Sequence, residues 1–376
     1  MGDTVDGFQV DPLQHRLGNL IELWPRLFIA LGNLETRFLR GALADRPVTA
    51  PIYIAGLARS GSTLLLELLA DHPRVGTHRY RDFPLLHLPY AWNRFLDRAP
   101  RRPAPAAERS HQDGMMVTPE SPEAFEEVLW MAFFPKFHAP GHSAVLGADT
   151  HSPGFEAFYR DHIRKLLLLR HADRYLSKGN YNVTRLEYLL ERFPDARFLI
   201  PVRDPVWHIA SLIKQQRLFT RALKDNPSAV THLRRAGHFE FGPARRAINP
   251  GNTAATDDVE RAWREGRELE GWAKYWALIH TFVADRLEQN DRLRRASVVV
   301  RFESLCRAPA ETFRGILAHC ALEEPAHLLE RVRTRVRFPD YYRPGFSADE
   351  LALIQRETAT AARRLGLADA VERAQV

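Results

Sequence analysis

The stretch Pro51-Ile-Tyr-Ile-Ala-Gly-Leu-Ala-Arg-Ser-Gly-Ser-Thr-Leu-Leu-Leu66 constrains the fold more than any other part of the chain. Residues 52–54 form a short β-favouring run before Gly56, and 64–70 reads as the start of a helix. Strand, glycine-bearing turn and helix bring backbone N–H groups and the positive end of a helix dipole to one point, which makes an anion site. Gly61 lets the backbone approach an oxyanion closely, and the hydroxyls of Ser60, Ser62 and Thr63 add donors. The glycine spacing is that of the nucleoside-triphosphate loop G-x-x-x-x-G-K-[ST], but Ser62-Thr63 stands where Lys-Ser/Thr is usual. The cation is moved into the loop as Arg59, with permanent charge and bidentate geometry. A plain strand–turn–helix would share much of this pattern, so further signals are needed.

Those signals come from the rest of the chain. Strand candidates at 143–148, 174–177, 197–202 and 297–301 alternate with helix candidates at 122–130, 154–171, 183–193 and 206–218. Alternation of this kind predicts a parallel sheet covered on both faces. The expected fold is α/β: a P-loop-like three-layer α/β/α arrangement with a central, mostly parallel sheet and extra flanking helices. We read residues 1–376 as a single domain, with an N-terminal helical flank at 12–45 broken at Pro25. Residues 226–258, with their glycines and prolines, read as an irregular insertion or lid, and 347–376 as a C-terminal helical segment. The proline-rich run 99–107 is too short for a domain linker. Trp263, Trp272 and Trp276 are expected on one long helix, where Trp272 and Trp276 share a face and read as core.

The second anion site is Ile200-Pro-Val-Arg-Asp-Pro-Val-Trp-His-Ile-Ala-Ser211. Arg203 ends a strand, Asp204-Pro205 opens a helix, and Ser211 follows Arg203 by eight residues, near enough along the helix to share one anion with it. An Asp cap with Pro at the first helical position accounts for Asp204-Pro205 without any ligand. Taken together, the Gly56–Leu65 loop resembles the 5′-phosphosulfate loop of sulfotransferases that use 3′-phosphoadenosine-5′-phosphosulfate (PAPS). Arg203-Asp-Pro…Ser211 resembles the same family's 3′-phosphate motif. Val300-Arg-Phe-Glu-Ser-Leu-Cys-Arg-Ala-Pro309 is similar to its later strand-and-turn segment near the nucleotide, with Phe302 where a tyrosine is usual. The resemblance covers about 51–88, 172–219 and 296–309, and points to a bacterial branch related to the carbohydrate and tyrosylprotein sulfotransferases. It implies PAPS as donor and PAP as product, held by Arg59, Ser60, Gly61, Ser62, Thr63, Arg203, Ser211, Arg301 and Phe302. It says nothing of the acceptor.

Sulfuryl transfer needs a base for the acceptor's proton and cations at the transferring group. Arg59 and Lys178 are the electrostatic candidates, the latter because it lies between the two motifs where the family has a lysine. In the related branches a glutamate follows the first helix; here Asp82 is the nearest replacement and His78 the second choice, with Glu123, Glu126 and Glu127 as reserves. Asp82 as an arginine partner or a helix cap is the competing reading. His138, His142 and His151 lie in a Pro/Gly loop with no cysteine and no i, i+4 helical pair, so no metal is expected. The expected function is transfer of a sulfuryl group from PAPS to a hydroxyl or amine. A kinase or NTPase with a degenerate loop, or a non-catalytic nucleotide-binding protein, are the alternatives.

A net charge of +7, from 53 basic and 46 acidic residues, suits an anionic ligand, yet no basic run interleaved with aromatics marks a nucleic-acid track. The acidic N-terminus has no apolar core, the longest apolar stretches are too short to span a bilayer, and only Cys306 and Cys320 are present, so a cytoplasmic location is expected. The 226–258 insertion and the segment 84–99, rich in Leu, Trp, Phe and Tyr, suggest an apolar wall suited to a lipid or small aromatic alcohol, within an expected acceptor class of small molecules, lipids or carbohydrates.

Overall fold

A computed structural model describes residues 10, 12–99, 105–109, 111–112, 114–338 and 343–367. Parts of three segments read from the sequence lie outside them: residues 1–9 at the N-terminus, 100–104 of the proline-rich run, and 368–376 at the C-terminus.

Five strands form one parallel sheet in the order β2-β5-β1-β6-β7: β1 Ile52–Ala55, β2 Val75–Gly76, β5 Arg174–Gly179, β6 Arg197–Val202 and β7 Ser297–Arg301. The intervening pair, β3 Ala107–Glu108 and β4 Met116–Val117, makes a small antiparallel hairpin apart from the sheet. Residues of β1 alternate between two cores, as period-two geometry requires. Ile52 and Ile54 face one core with the helices Ser62–Ala70, Pro309–His319 and Ala326–Arg335. Tyr53 and Ala55 face the other with Pro153–Arg170, Pro205–Leu223 and Glu268–Gln289. Both faces of the sheet are therefore dry, and the structure is the three-layer α/β/α arrangement expected from the alternation.

The register sets the site. Ala55 pairs with Gly179 and Val202 with Arg301, so β1, β5, β6 and β7 end at the same edge. The residues that follow them converge there, outside the carboxyl ends of parallel strands, where ligands of open α/β sheets bind.

Several elements differ from the sequence reading. Residues 143–148 are extended but unpaired with any strand: the N–H groups of Ala144 and Leu146 donate to the carbonyls of Asn249 and Thr184 (2.9 and 3.0 Å). The helix expected over 122–130 begins only at Glu127 and runs to Phe133. Its first part is drawn off by tertiary pairing: Pro122 bridges to Arg79, Tyr80 N–H donates to Ser121 O, and Glu123 N–H to His78 O. The stretch 183–193 opens as a 3-10 turn over Asn180–Thr184 before the helix Leu186–Arg192. The 226–258 stretch contains the helix Pro227–Arg235 and the start of Thr253–Arg264, capped by the side chains of Asn226 and Asn252, so only 236–252 is irregular. N-terminal helices cover Pro12–Leu23, Pro25–Phe38 and Arg40–Leu43, and the C-terminal helix Ala348–Arg364 starts in a Ser347/Glu350 capping box. Trp263, Trp272 and Trp276 are buried but do not share one long helix: Trp263 lies on Thr253–Arg264 and the other two on Glu268–Gln289, the chain breaking at Gly266, whose φ of +76° no helix continues through.

Candidate functional site

The loop after β1 turns sharply. Arg59 and Gly61 both adopt left-handed backbone angles, φ +72° and +93°, and Gly61 precedes the helix Ser62–Ala70. Gly61 also needs its missing side chain, because a Cβ there would lie 2.8 Å from the Phe302 ring. Ser60 does not face the ligand side: it is buried, and its hydroxyl and N–H both donate to the Leu57 carbonyl (2.7 and 3.3 Å). Its role is to brace the turn.

The two arginine motifs meet across this loop. Arg59 Nε donates to Ser211 Oγ at 3.2 Å, and Arg203 Nη1 to the Arg59 carbonyl at 3.4 Å. The Arg203 guanidinium stands over the Phe302 ring at 4.9 Å. Asp204 is a helix cap, accepting from Trp207 N–H at 3.1 Å, while its own N–H donates to Glu303 Oε1 at 3.0 Å. That pair of contacts fixes the end of β6 against the turn after β7. Arg301, by contrast, is exposed and directs its guanidinium against Gly366, outside both cavities described next.

Two cavities adjoin the loop. One, of about 480 Å³, is strongly basic: Arg203, Lys214, Arg335 and Arg337 line it together with Gly61 and Phe302. The other, of about 440 Å³, has aromatic walls that include Phe83, Phe125, Phe219 and Phe241, and a charged group formed by Lys178, Glu123, His238 and Glu240. Arg59, Ser62, Thr63 and Arg109 line both, so the loop is the shared wall. Lys214 lies one helical turn past Ser211, a spacing legible in the sequence. Arg109 on the hairpin, Arg335 at the end of the helix Ala326–Arg335 and Arg337 just after it carried no motif. His238 and Glu240 lie in the 226–258 stretch expected to wall the acceptor, which does line the aromatic cavity; no residue of 84–99 lines either cavity, since that segment packs with Pro153–Arg170 instead.

The charged group in the second cavity is tightly coupled. Burial raises the Glu123 carboxyl, but the charges of His238 and Lys178, with hydrogen bonds from Tyr80 and the Ala124 N–H, outweigh it and leave the group below its usual range. Burial likewise opposes ionisation of Glu240, yet His238, Lys178 and Asn180 hold it down at about 2. His238 is pushed down by burial and up more strongly by its bond to Glu240 and the charges of Glu240 and Glu123, so it titrates above its ordinary value. Burial lowers Lys178, only partly offset by Glu123 and Glu240.

The two residues first in line as base lie elsewhere. Asp82 is fully buried between two residues that do line the cavity, Arg81 and Phe83. Its carboxylate accepts from Arg170 Nη2 at 2.6 Å on both oxygens, from Asn93 Nδ2 at 2.8 Å and from the Arg79 N–H at 2.8 Å. His78 is buried with Nε2 2.8 Å from Nε2 of His162, and burial pushes it down to about 4. Among the reserves, Glu126 is sealed in the core with Tyr159, Tyr175, Ser177 and Trp130, and burial raises its carboxyl. Glu127 pairs with Arg185 at 2.7 Å and His138 at 2.7 Å. Only Glu123 of the five reaches the cavity. His138 is thus committed to Glu127, and His151 lies beside Arg192. No group of three or more metal-ligating side chains occurs among the described residues.

Comparison with known proteins follows the same lines. The chain is similar to a solved sulfotransferase from Mycobacterium tuberculosis H37Rv, with 15% identity, 92% of this chain and 86% of that one covered, and a TM-score of 0.47. It is also similar to one from Mycobacterium avium (15% identity, 88% and 80% covered, TM-score 0.47) and one from Alicyclobacillus acidocaldarius (15%, 87% and 97%, 0.39). No curated protein matches it. The family model described as the sulfotransferase family matches residues 51–253, more than half of the chain and including the loop, Lys178, Arg203 and Ser211. The chain belongs to the sulfotransferase family and is a transferase.

Proposed function

We propose that the protein transfers a sulfuryl group from PAPS to a hydroxyl on an apolar or amphiphilic acceptor, with the donor in the basic cavity and the acceptor in the aromatic one. The observation that carries this reading is the meeting of two chemically different cavities at Arg59, Ser62 and Thr63. The residues suit a donor with two separated anionic ends. Arg203, Lys214, Arg335 and Arg337 offer charge to a 3′-phosphate, the Phe302 ring offers a face to a base, and the loop N–H groups with Arg59 and Thr63 offer donors to a phosphosulfate. Bound there, PAPS supplies a sulfuryl group whose bond to phosphate breaks as the bond to the acceptor oxygen forms.

The chain's own residues do the rest. Glu123 takes the acceptor proton: it faces the aromatic cavity, and the charges of His238 and Lys178 favour its ionised form against burial. In this reading Glu123 replaces Asp82 and His78, which are enclosed in the core. Lys178, Arg59 and Arg109 stabilise charge on the transferring group and the departing phosphate, with no metal. Tyr80 and the Ala124 N–H orient the Glu123 carboxylate, and His238, paired with Glu240, acts on it through its charge. Isothermal titration tests the donor assignment: PAP binds without Mg²⁺, and ATP binds much more weakly. The opposite ranking would sink the proposal.

A further inference from the structure

We propose that the kinked helix pair Pro12–Leu23 and Pro25–Phe38 is a docking surface for an anionic lipid bilayer. The pair is two-faced. Ile21 and Phe28 are buried against the protein, and Glu35 is turned inward to pair with Lys165 at 2.9 Å. The outward side carries Leu20, Leu23, Trp24, Leu27, Leu34 and Phe38, with Leu23 73%, Trp24 59% and Phe38 81% exposed. Leu27, Leu34 and Phe38 recur at helical spacing and form one stripe. An apolar stripe facing water is unfavourable unless something covers it.

Charge identifies the cover. Arg16, Arg26, Arg37 and Arg40 are exposed on the same helices or directly after them. Of the acids on these two helices, Glu35 is buried against Lys165, and Glu22 is held by Arg234 and Arg235 at 2.6 and 2.7 Å. The face is thus apolar with cationic flanks and a tryptophan at the kink, which is the composition of a helix lying in a lipid interface. A second copy of this chain seated on it by two-fold symmetry would oppose arginine to arginine, whereas an anionic headgroup layer complements them. No helix among the described residues is long and apolar enough to cross a membrane, so contact is from one side.

The location adds a consequence. Val10 and Gln14, at the start of this segment, belong to the wall of the aromatic cavity. Docking sets that cavity beside the lipid, where an amphiphilic alcohol would be concentrated; this last step rests on the function proposed above, and the docking surface does not.

The experiment is co-sedimentation of the full chain with vesicles of phosphatidylcholine alone or mixed with phosphatidylglycerol, without donor, at low and high salt. Salt-sensitive binding to the anionic vesicles is expected. Leu34→Glu/Phe38→Glu should lower the partition coefficient about ten-fold or more, and Arg26→Glu/Arg37→Glu should remove the preference for anionic lipid. Circular dichroism checks folding, and Phe38→Ser provides the same comparison should the double variant melt early. Absence of binding, binding unaffected by these changes, or a dimer that the same substitutions dissolve in sedimentation velocity would overturn the proposal. A chain that binds vesicles but not PAP would sink the catalytic reading and leave the docking surface standing.

Discussion

Glu123, Glu126 and Glu127 stand within five residues of one another, and packing gives each a different chemistry. Glu126 is enclosed by two tyrosines, a serine and a tryptophan, and Glu127 by an arginine sandwiched against Trp130 and Phe137. Glu123 alone faces a cavity, because its backbone is paired to His78 rather than wound into the helix. Glu123→Gln keeps the shape and removes the base, so kcat should fall by about 100- to 10,000-fold with PAP affinity unchanged. Steady-state kinetics together with PAP titration check this, and full activity in the variant would rule Glu123 out as the base. Asp82 gives the reverse expectation. Its ion-pair partner is Arg170, both groups being buried, so Asp82→Asn takes from that guanidinium its bonded counter-charge. Loss of about 3 kcal/mol or more in urea unfolding is expected. If stability is retained while kcat collapses, Asp82 has a role in the reaction. Sequence spacing could name these carboxylates as candidates but could not sort them, since the partner that buries Asp82 lies 88 positions away.

Elements whose identity depends on local spacing were legible. Strand, turn and helix around Gly61, and strand, Asp-Pro and helix around Arg203, each need only neighbouring residues, and the alternation of such units specifies a parallel sheet. What stayed hidden is where tertiary contacts overrule local pattern. Pro122 opens no helix because its neighbours bond to 78–80, and 143–148 joins no sheet because its N–H groups go to loop carbonyls. Half of the basic cavity was hidden for a related reason: Arg335 ends a helix far along the chain and Arg337 follows it, with no motif to place them. At the loop itself the element makes its own prediction. Gly61→Ala puts a β-carbon 2.8 Å from Phe302 on a backbone already at φ +93°, so either the turn or the ring must move. A left-handed residue with a side chain costs about 1–2 kcal/mol, and displacing Phe302 also disturbs the ring beneath Arg203. PAP affinity should fall by about ten-fold or more, read by titration. Unchanged affinity would mean the ring and turn do not contact the nucleotide.

At the scale of the whole molecule, the layer beneath the N-terminal helices contains histidines that the fold keeps neutral. His78 and His162 share a single hydrogen bond between their Nε2 atoms, so one ring donates and the other accepts. Among the described residues, neither ring nitrogen of His87 has a hydrogen-bond partner. Burial lowers all three, His78 and His87 to about 4 and His162 well below its ordinary value, and the nearby cations Arg170 and Lys165 add to the effect; Asp82 opposes it at His78 without overcoming it. In the unfolded chain these rings take up protons near pH 6.5. Above that value both states are neutral there and the trio adds no pH dependence. As the pH falls from about 6.5 towards about 4, the unfolded state gains protons that the folded state refuses, so stability drops by about 1.4 kcal/mol per pH unit for each histidine. Below about 4, His78 and His87 protonate in the folded chain as well, and their share of the slope ends. The N-terminal helix pair rests on this layer through Lys165 and Glu35 and through Gly32, which packs against Phe158 and the His87 carbonyl. Acid should therefore loosen that pair along with the trio. Urea unfolding between pH 7 and pH 4.5, with His87→Phe as comparison, checks the slope. The variant's slope should be shallower by about one proton, because it removes one of the refused protons while keeping a ring in place. Stability that does not change across this range would show that the buried rings accept protons without cost, against the geometry that encloses them.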